Sequence, residues 1–475
     1  MYTKFSSRLW AVSLVVLLWP ISLVAQITFE RTYGGADDDR GFCIQQTSDG
    51  GYIAVGLTSS FGAGSEDIYL IKTDSLGDTI WTKTYGDSSL DRGSFVEQTK
   101  DGGYIVVGFT WLIDNEAFNI YLIKTDALGD TLWTRTYGVT GYDHGSCVRE
   151  TKDGGYIIVG VAGLEDVYLI KTDSLGDTLW TRTYGGPHPD WGYCVRQTTD
   201  GGYIIVGRSY SPDEELNVYL IKTNPLGDTM WTKTYGGLDM DVGYSVEQIQ
   251  DGGFIIAGYT KSFGAGLEDF YLIKTDSLGD TIWTRTYGGE NLDWGYSVHQ
   301  TADGGYIITG GTWSFGPGHI DVYLIKTDSI GDTMWTKTFG GANEDWGCSV
   351  QLTSDGGYII TGRTASFGAG NYDVYLIKTD SLGLVGIEEQ TDPRPKTTDI
   401  RLVCYPNPFT SAVSVKCSGI SEKQEASLEI YDISGRLIKS IPLTTRTFQL
   451  GTDLSAGVYF LKIDGKNIGK VVKVR

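Results

Sequence analysis

One octapeptide constrains this chain more than any other feature: Asp251-Gly252-Gly253-Phe254-Ile255-Ile256-Ala257-Gly258, close copies of which return through most of the sequence. Its aspartate falls at Asp49, Asp101, Asp153, Asp200, Asp251, Asp303 and Asp355, at intervals of 52, 52, 47, 51, 52 and 52 residues. Self-similarity at a period near 50 marks a repeat fold whose units cannot bury their apolar faces alone. Within one unit, four strand-like runs follow one another at 244–248, 254–257, 270–275 and 281–287. Aromatic and β-branched residues dominate these runs, and Asp-Gly and Gly-Gly at their ends supply the positive φ that tight hairpins need. Each unit therefore reads as a four-stranded antiparallel meander. Identical sheets of this kind hide their faces and edges best when closed radially, so the chain predicts an all-β, seven-bladed β-propeller.

The ends of the repeat region predict how the ring closes. Residues 27–35 match the fourth run of a unit yet precede the first, while the last unit stops after its third run, at 375–380. The N-terminal strand should therefore complete the last blade. The six tryptophans of the fourth run, Trp81, Trp133, Trp180, Trp231, Trp283 and Trp335, with Phe29 as the seventh, recur at one fixed position and read as core between blades.

Lys4 and Arg8 precede an apolar run of 16 residues at 9–24, and Ala25 follows it. A charged start, a short apolar middle and a small residue describe a secretory signal peptide over residues 1–25. Losing it would take the net charge from −21 to −23, a balance that argues against nucleic acid as a partner. The cysteines do not form a disulfide framework. Cys43, Cys147 and Cys194 share one first-run position that elsewhere holds Ser245, Ser297, Ser349 or Phe95, as small buried thiols would. Cys404 and Cys417 lie outside the repeats, where an oxidising compartment could pair them.

Comparing the units with one another separates scaffold from surface. Both hairpin turns barely change, whereas the loops between second and third runs, and between one unit and the next, carry nearly all the variation and must emerge together at the opposite face. Variable loops on a rigid scaffold are where recognition resides. On that face an Asp-x-Gly tripeptide opens each unit, with acids Asp39, Asp91, Asp143, Asp190, Asp241, Asp293 and Asp345. A short acid beside glycine most often makes an Asx-type turn; the functional alternative is a carboxylate ring holding a hard cation such as Ca2+. The residues between acid and glycine differ by unit. Arg40, Arg92, His144, Trp191, Trp294 and Trp346 are the candidate ligand contacts, the tryptophans as flat faces on which sugars stack. No residue earns a catalytic role: the four histidines form no metal-ligand spacing, and no nucleophile elbow or phosphate-cradling loop is present.

After residue 384 the period disappears. Residues 385–398 are polar and proline-bearing, as a linker would be, and 399–475 hold seven short strand candidates of a small immunoglobulin-like β-sandwich. Within them stand Tyr405-Pro406-Asn407-Pro408-Phe409, then a run at 430–438 containing Gly435 and Arg436, then Gly457 and Tyr459 ahead of a basic end. These motifs resemble the type A C-terminal sorting domain of type IX secretion substrates. The resemblance implies export through the periplasm, recognition by the type IX machinery, and release from or attachment to the surface of a Gram-negative cell, with lipopolysaccharide as the anchor. The repeat itself, with its Thr-Tyr-Gly-Gly and Tyr-Leu-Ile-Lys-Thr-Asp segments, is similar to propeller repeats found ahead of such domains in secreted Bacteroidetes proteins. The expectation is thus a secreted, non-catalytic binding or adhesion propeller whose ligand is a glycan or a protein. The alternatives are an extracellular carbohydrate-active lyase or hydrolase on the same face, or a purely structural surface module.

Overall fold

In a computed structural model the described residues are 26–112, 116–138, 141–163, 166–210 and 215–386, with the strands and adjoining residues of the C-terminal region between 401 and 473. The segment expected as a signal peptide, most of the expected linker, and Pro406 to Phe409 and Gly435 of the sorting motif lie outside them. The chain divides into two compact units, which part between Glu388 and Glu389.

The first unit is a seven-bladed propeller of four-stranded antiparallel sheets. One blade runs Asp241–Gln248, Phe254–Thr260, Asp269–Thr275 and Thr281–Tyr287. The first strand of every blade packs beside those of its neighbours and lines the central channel, and the fourth is outermost. Second and third strands are buried nearly throughout, because each is covered on both faces by adjoining blades. In the fourth strand burial alternates, and its Thr-Lys-Thr or Thr-Arg-Thr stretch faces water.

The ring closes as the sequence predicts. Phe29–Tyr33 pairs antiparallel with Asp373–Thr379, in register from Phe29↔Lys378 to Tyr33↔Val374, and is the fourth strand of the last blade. Adjacent blades are locked by the fourth-strand aromatics. Each of the six tryptophans, and Phe29, meets the aromatic residue that opens the next second strand, as in Trp283 with Tyr306 at 5.9 Å and Phe29 with Tyr52 at 6.0 Å. The tyrosine ending a fourth strand donates to the glycine carbonyl of the next outer turn, as Tyr235 to Gly279 at 2.7 Å.

The Asp-Gly-Gly turn owes its constancy to an internal brace. Asp303 accepts hydrogen bonds from the Thr301 hydroxyl at 2.5 Å, from Gly305 N–H at 3.0 Å and from the buried Lys326 ammonium at 2.9 Å. The same Asp–Lys pair occurs in all seven blades, from Lys72–Asp49 to Lys378–Asp355.

Two sequence readings change. Asp-x-Gly is not a turn before the first strand but its beginning, since Asp241, Val242 and Gly243 pair with Thr260, Tyr259 and Gly258. The strand continues past the glycine through a β-bulge, with Tyr244 as the extra residue, and the bulge recurs in every blade. The second unit has strands Arg401–Tyr405, Val413–Ser418 and Thr447–Leu450 in one sheet. Its other sheet is ordered Leu437–Pro442, Ser427–Asp432, Gly457–Ile463 and Lys466–Lys473. The last strand begins at Lys466 rather than at 470, because Lys466 already pairs with Ile463 of its predecessor. Register sets Cys404 opposite Val415 and Cys417 opposite Leu402, so the two cysteines are not directly paired across the strands.

Candidate binding face at the channel mouth

A bulge places two consecutive residues of one strand opposite a single partner and re-aims the extra side chain. Here that side chain belongs to Phe42, Ser94, Ser146, Tyr193, Tyr244, Tyr296 or Cys348, according to the blade, and most of these line a narrow cavity of about 90 Å³ in the channel. Polar groups line it too: Arg149 pairs with Glu97 at 3.5 Å, and His299 Nδ1 lies 3.3 Å from Glu247. Burial would raise the Glu247 carboxyl, but the hydrogen bond from His299, with Arg196 nearby, holds it at about 2. Sites for small molecules usually occupy about 300–1,000 Å³. This cavity is too small for one, which turns attention to the mouth.

At the mouth the candidate residues form two groups. On the second and third blades, Arg92 pairs with Glu66 at 2.9 Å and lies over Phe109, whose ring centroid is 4.7 Å from that of His144. Burial drives the His144 imidazole down to about 4, with the Arg92 charge assisting. On the remaining blades, Trp294 and Trp346 stack with centroids 4.9 Å apart and planes inclined by 23°. The stack has room because Gly311, paired with Trp294 across the strands, carries no side chain: a Cβ there would lie 2.9 Å from Trp346. Trp191 is apart from this pair, under the Arg208 guanidinium at 4.4 Å. Arg40 pairs with Asp38 at 2.7 Å and lies over Tyr372.

The bulge tyrosines join these pieces. From Tyr193 to Tyr244 the centroid distance is 4.8 Å, from Tyr244 to Tyr296 5.0 Å, and from Tyr296 to Trp346 6.2 Å. An aromatic arc therefore runs around four consecutive blades, with Arg208 over Trp191 and Tyr193 at one end and Arg363 over Trp346 and Tyr372 at the other. Sequence reasoning missed the tyrosines and these two arginines. The signal was present: the residue after Asp-x-Gly, and the one after the glycine of the second strand (Leu57, Phe109, Val161, Arg208, Tyr259, Gly311, Arg363), vary by unit as sharply as the candidates named.

The seven Asp-x-Gly carboxylates are buried and turned onto their own loops rather than into the channel. Asp293 accepts from Gly289 N–H at 2.8 Å, from the Ser314 hydroxyl at 2.6 Å and from the Thr312 hydroxyl. Asp39, Asp241 and Asp345 make the corresponding bonds to a loop N–H and a serine. Asp190 accepts from Gly186 N–H, Asp143 from Gly163 N–H, and Asp91 from Asp87 N–H. Among the described residues, no three or more His, Cys, Asp and Glu side chains converge as a metal's ligands would. In the second unit, Arg436 closes its hairpin on Asp432 through N–H and Nε donors at 3.0 and 3.1 Å, and Tyr459 is buried with its hydroxyl donating to the Ser455 carbonyl at 2.8 Å.

Residues 403–474 match the family model of the secretion system C-terminal sorting domain. The chain is therefore a type IX secretion substrate, directed to the cell surface or the extracellular space. Over 132 residues it is 26% identical to the regulatory protein FlaEY of Caulobacter vibrioides, a match that spans 23% of this chain and 14% of that one. Among solved structures it is similar to PorZ, a surface component of the type IX secretion system of Porphyromonas gingivalis, at 13% identity and a TM-score of 0.41 over 93% of this chain and 60% of that one. It is also similar to a puromycin hydrolase at 14% identity and a TM-score of 0.47, over 80% of this chain and 59% of that one.

Proposed function

We propose that this type IX secretion substrate is a non-catalytic binding propeller that engages a glycan or protein outside the cell through its channel mouth. On this reading residues 1–25 are removed as a signal peptide, 26–384 form the binding domain, 385–398 are the linker and 399–475 direct export, with surface lipopolysaccharide as the anchor.

The aromatic arc carries the proposal. Trp191, Trp294 and Trp346 are each partly exposed, so part of each ring is within reach of a partner. Flat rings at a rim, with polar groups between them, suit the alternating apolar and hydroxylated faces of sugars, and buried aromatic anchors dominate protein interfaces too. Arg40, Arg92 and His144 complete the rim. Binding here needs no moving part, since the rings are held by the bulges of a closed scaffold, and preorganisation of this kind reduces the ordering cost of association.

A glycan array probed with the mature secreted protein, in calcium and again in chelator, tests the reading. Specific hits that disappear in both Trp294→Ala and Trp346→Ala are expected. Hits untouched by either substitution would remove the mouth as the site, and a blank array joined to a blank pull-down from cell envelopes would remove the binding role.

A further inference from the structure

The arginines at the ends of the arc say more about the ligand than the rings do. This is an acidic protein, with 59 Asp and Glu against 38 Lys and Arg; of its other channel arginines, Arg196 donates to the Val246 carbonyl and three have carboxylates at hand. Arg40 has Asp38, Arg92 has Glu66 and Arg149 has Glu97. Arg208 and Arg363 have none among the described residues, although both are largely withdrawn from water. The acids near them are already engaged: Glu344 accepts from the Tyr372 hydroxyl at 2.7 Å, and Glu268 takes Trp294 Nε1 and the Lys261 ammonium.

An unpaired guanidinium out of water is costly, and aromatic faces offset only part of that cost. The unfilled hydrogen-bonding capacity points the same way. Around the arc, the buried polar atoms without a partner include the donors Nε of Arg40, Arg208 and Arg363 and Nε1 of Trp346, while the acceptors among them, Oδ1 of Asp39, Asp190, Asp241 and Asp345, belong to carboxylates whose other oxygen is already bound to a loop N–H. Two of these guanidiniums converge on one ring, Arg40 at 4.8 Å and Arg363 at 5.2 Å from the centre of Tyr372, and Arg363 also lies 4.9 Å from the centre of Trp346. Asp38 answers only the Arg40 charge, so the Arg363 guanidinium beside it is left to an outside anion, and guanidinium groups match carboxylate and sulfate oxygens in pairs.

We infer that the mouth takes an acidic saccharide, its ring stacked on the Trp294 and Trp346 pair and its carboxylate or sulfate held between Arg363 and Arg40. This rests on the binding role proposed above and narrows it to a ligand class.

Calorimetric titration of the mature protein with oligogalacturonate, its methyl ester, dextran sulfate and dextran tests it. Oligogalacturonate or dextran sulfate is expected to bind, and which of the two binds identifies the acid. The matching neutral sugar should bind at least about tenfold more weakly, and Arg363→Gln should weaken the acidic ligand by a similar factor with an unchanged melting temperature. Arg363→Lys, which keeps the charge and loses the planar fork, should fall between the two. Equal binding of acidic and neutral forms, abolished by Trp346→Ala, would overturn the acidic ligand and leave the binding role standing. Binding to none of the four, together with array hits confined to neutral glycans, would overturn it as well, whereas an array with no hits at all would fall on the binding role itself.

Discussion

Gly279 shows how much a single residue carries in this fold. It sits in the outer turn at φ +79°, where a side chain is strained, and a Cβ there would lie 2.8 Å from Trp231 of the preceding blade. Its carbonyl also accepts the Tyr235 hydroxyl. Gly279→Ala should therefore cost about 2 kcal/mol or more in denaturant unfolding, through both the left-handed conformation and the displaced tryptophan. Gly252, at φ +85° with open space around a Cβ, carries only the first of these penalties, and Gly252→Ala should cost about half as much. Equal losses would show that the tryptophan contact contributes nothing. That both glycines occupy turns was legible from Asp-Gly and Leu-Gly-Asp. That one of them is also the seat of a neighbouring indole was not, because the contact joins residues 48 positions apart in different blades.

The element on which the ring depends is the strand Phe29–Tyr33. Phe29 is 1% exposed, against Tyr52 on one side and the Gly77 turn on the other, and the Tyr33 hydroxyl donates to the Gly77 carbonyl at 2.5 Å. Without the strand, Asp373–Thr379 becomes an open edge and the first and last blades lose the aromatic wedge that the other junctions keep. Truncation of residues 26–33 should lower the melting temperature by about 10 °C or more and promote association through the bared edge. An unaltered, monomeric melt would mean that the ring does not depend on this strand. Closure was legible because a fourth-strand sequence stood unmatched at one end and was missing at the other. The bulges were not: a bulged strand keeps an unbroken run of strand-forming residues, and only pairing reveals that Tyr193, Tyr244 and Tyr296 have no opposite number. Half of the aromatic arc was hidden for that reason, although its tryptophans were visible as outliers among the repeats.

For the molecule as a whole, repetition turns weak local titrations into one pH profile. Burial alone would raise the Asp-Gly-Gly carboxylates, but hydrogen bonds from threonine, lysine and glycine N–H outweigh it, and Asp49, Asp200 and Asp303 are held at about 2. Asp101, Asp153, Asp251 and Asp355 are lowered in the same way. A carboxyl whose folded pKa lies below its unfolded value of about 4 contributes fully above pH 4, and that contribution is lost as pH falls towards 2. Four of the acids that open first and third strands behave oppositely. Burial, with Asp345 nearby, raises Asp321 to about 6 against the opposing Gly318 N–H, and Asp91, Asp269 and Asp373 are raised too. Their contribution is complete below pH 4 and is lost as pH rises above it, for Asp321 through about 6. His144, lowered to about 4 by burial, works against them between pH 6.5 and 4, but it is one group facing four, and a net charge of −21 adds self-repulsion towards neutrality. Buried tyrosines such as Tyr85 and Tyr287, raised by desolvation, contribute up to pH 10 and lose that contribution above it. Urea midpoints between pH 2 and 11 should accordingly peak near pH 5, decline modestly to pH 7 and fall steeply below 4 and above 10. Asp321→Asn should flatten the decline between 5 and 7 without moving the acid limb. A midpoint still rising from pH 5 to 8 would show that these buried carboxyls are not what couples the propeller to pH.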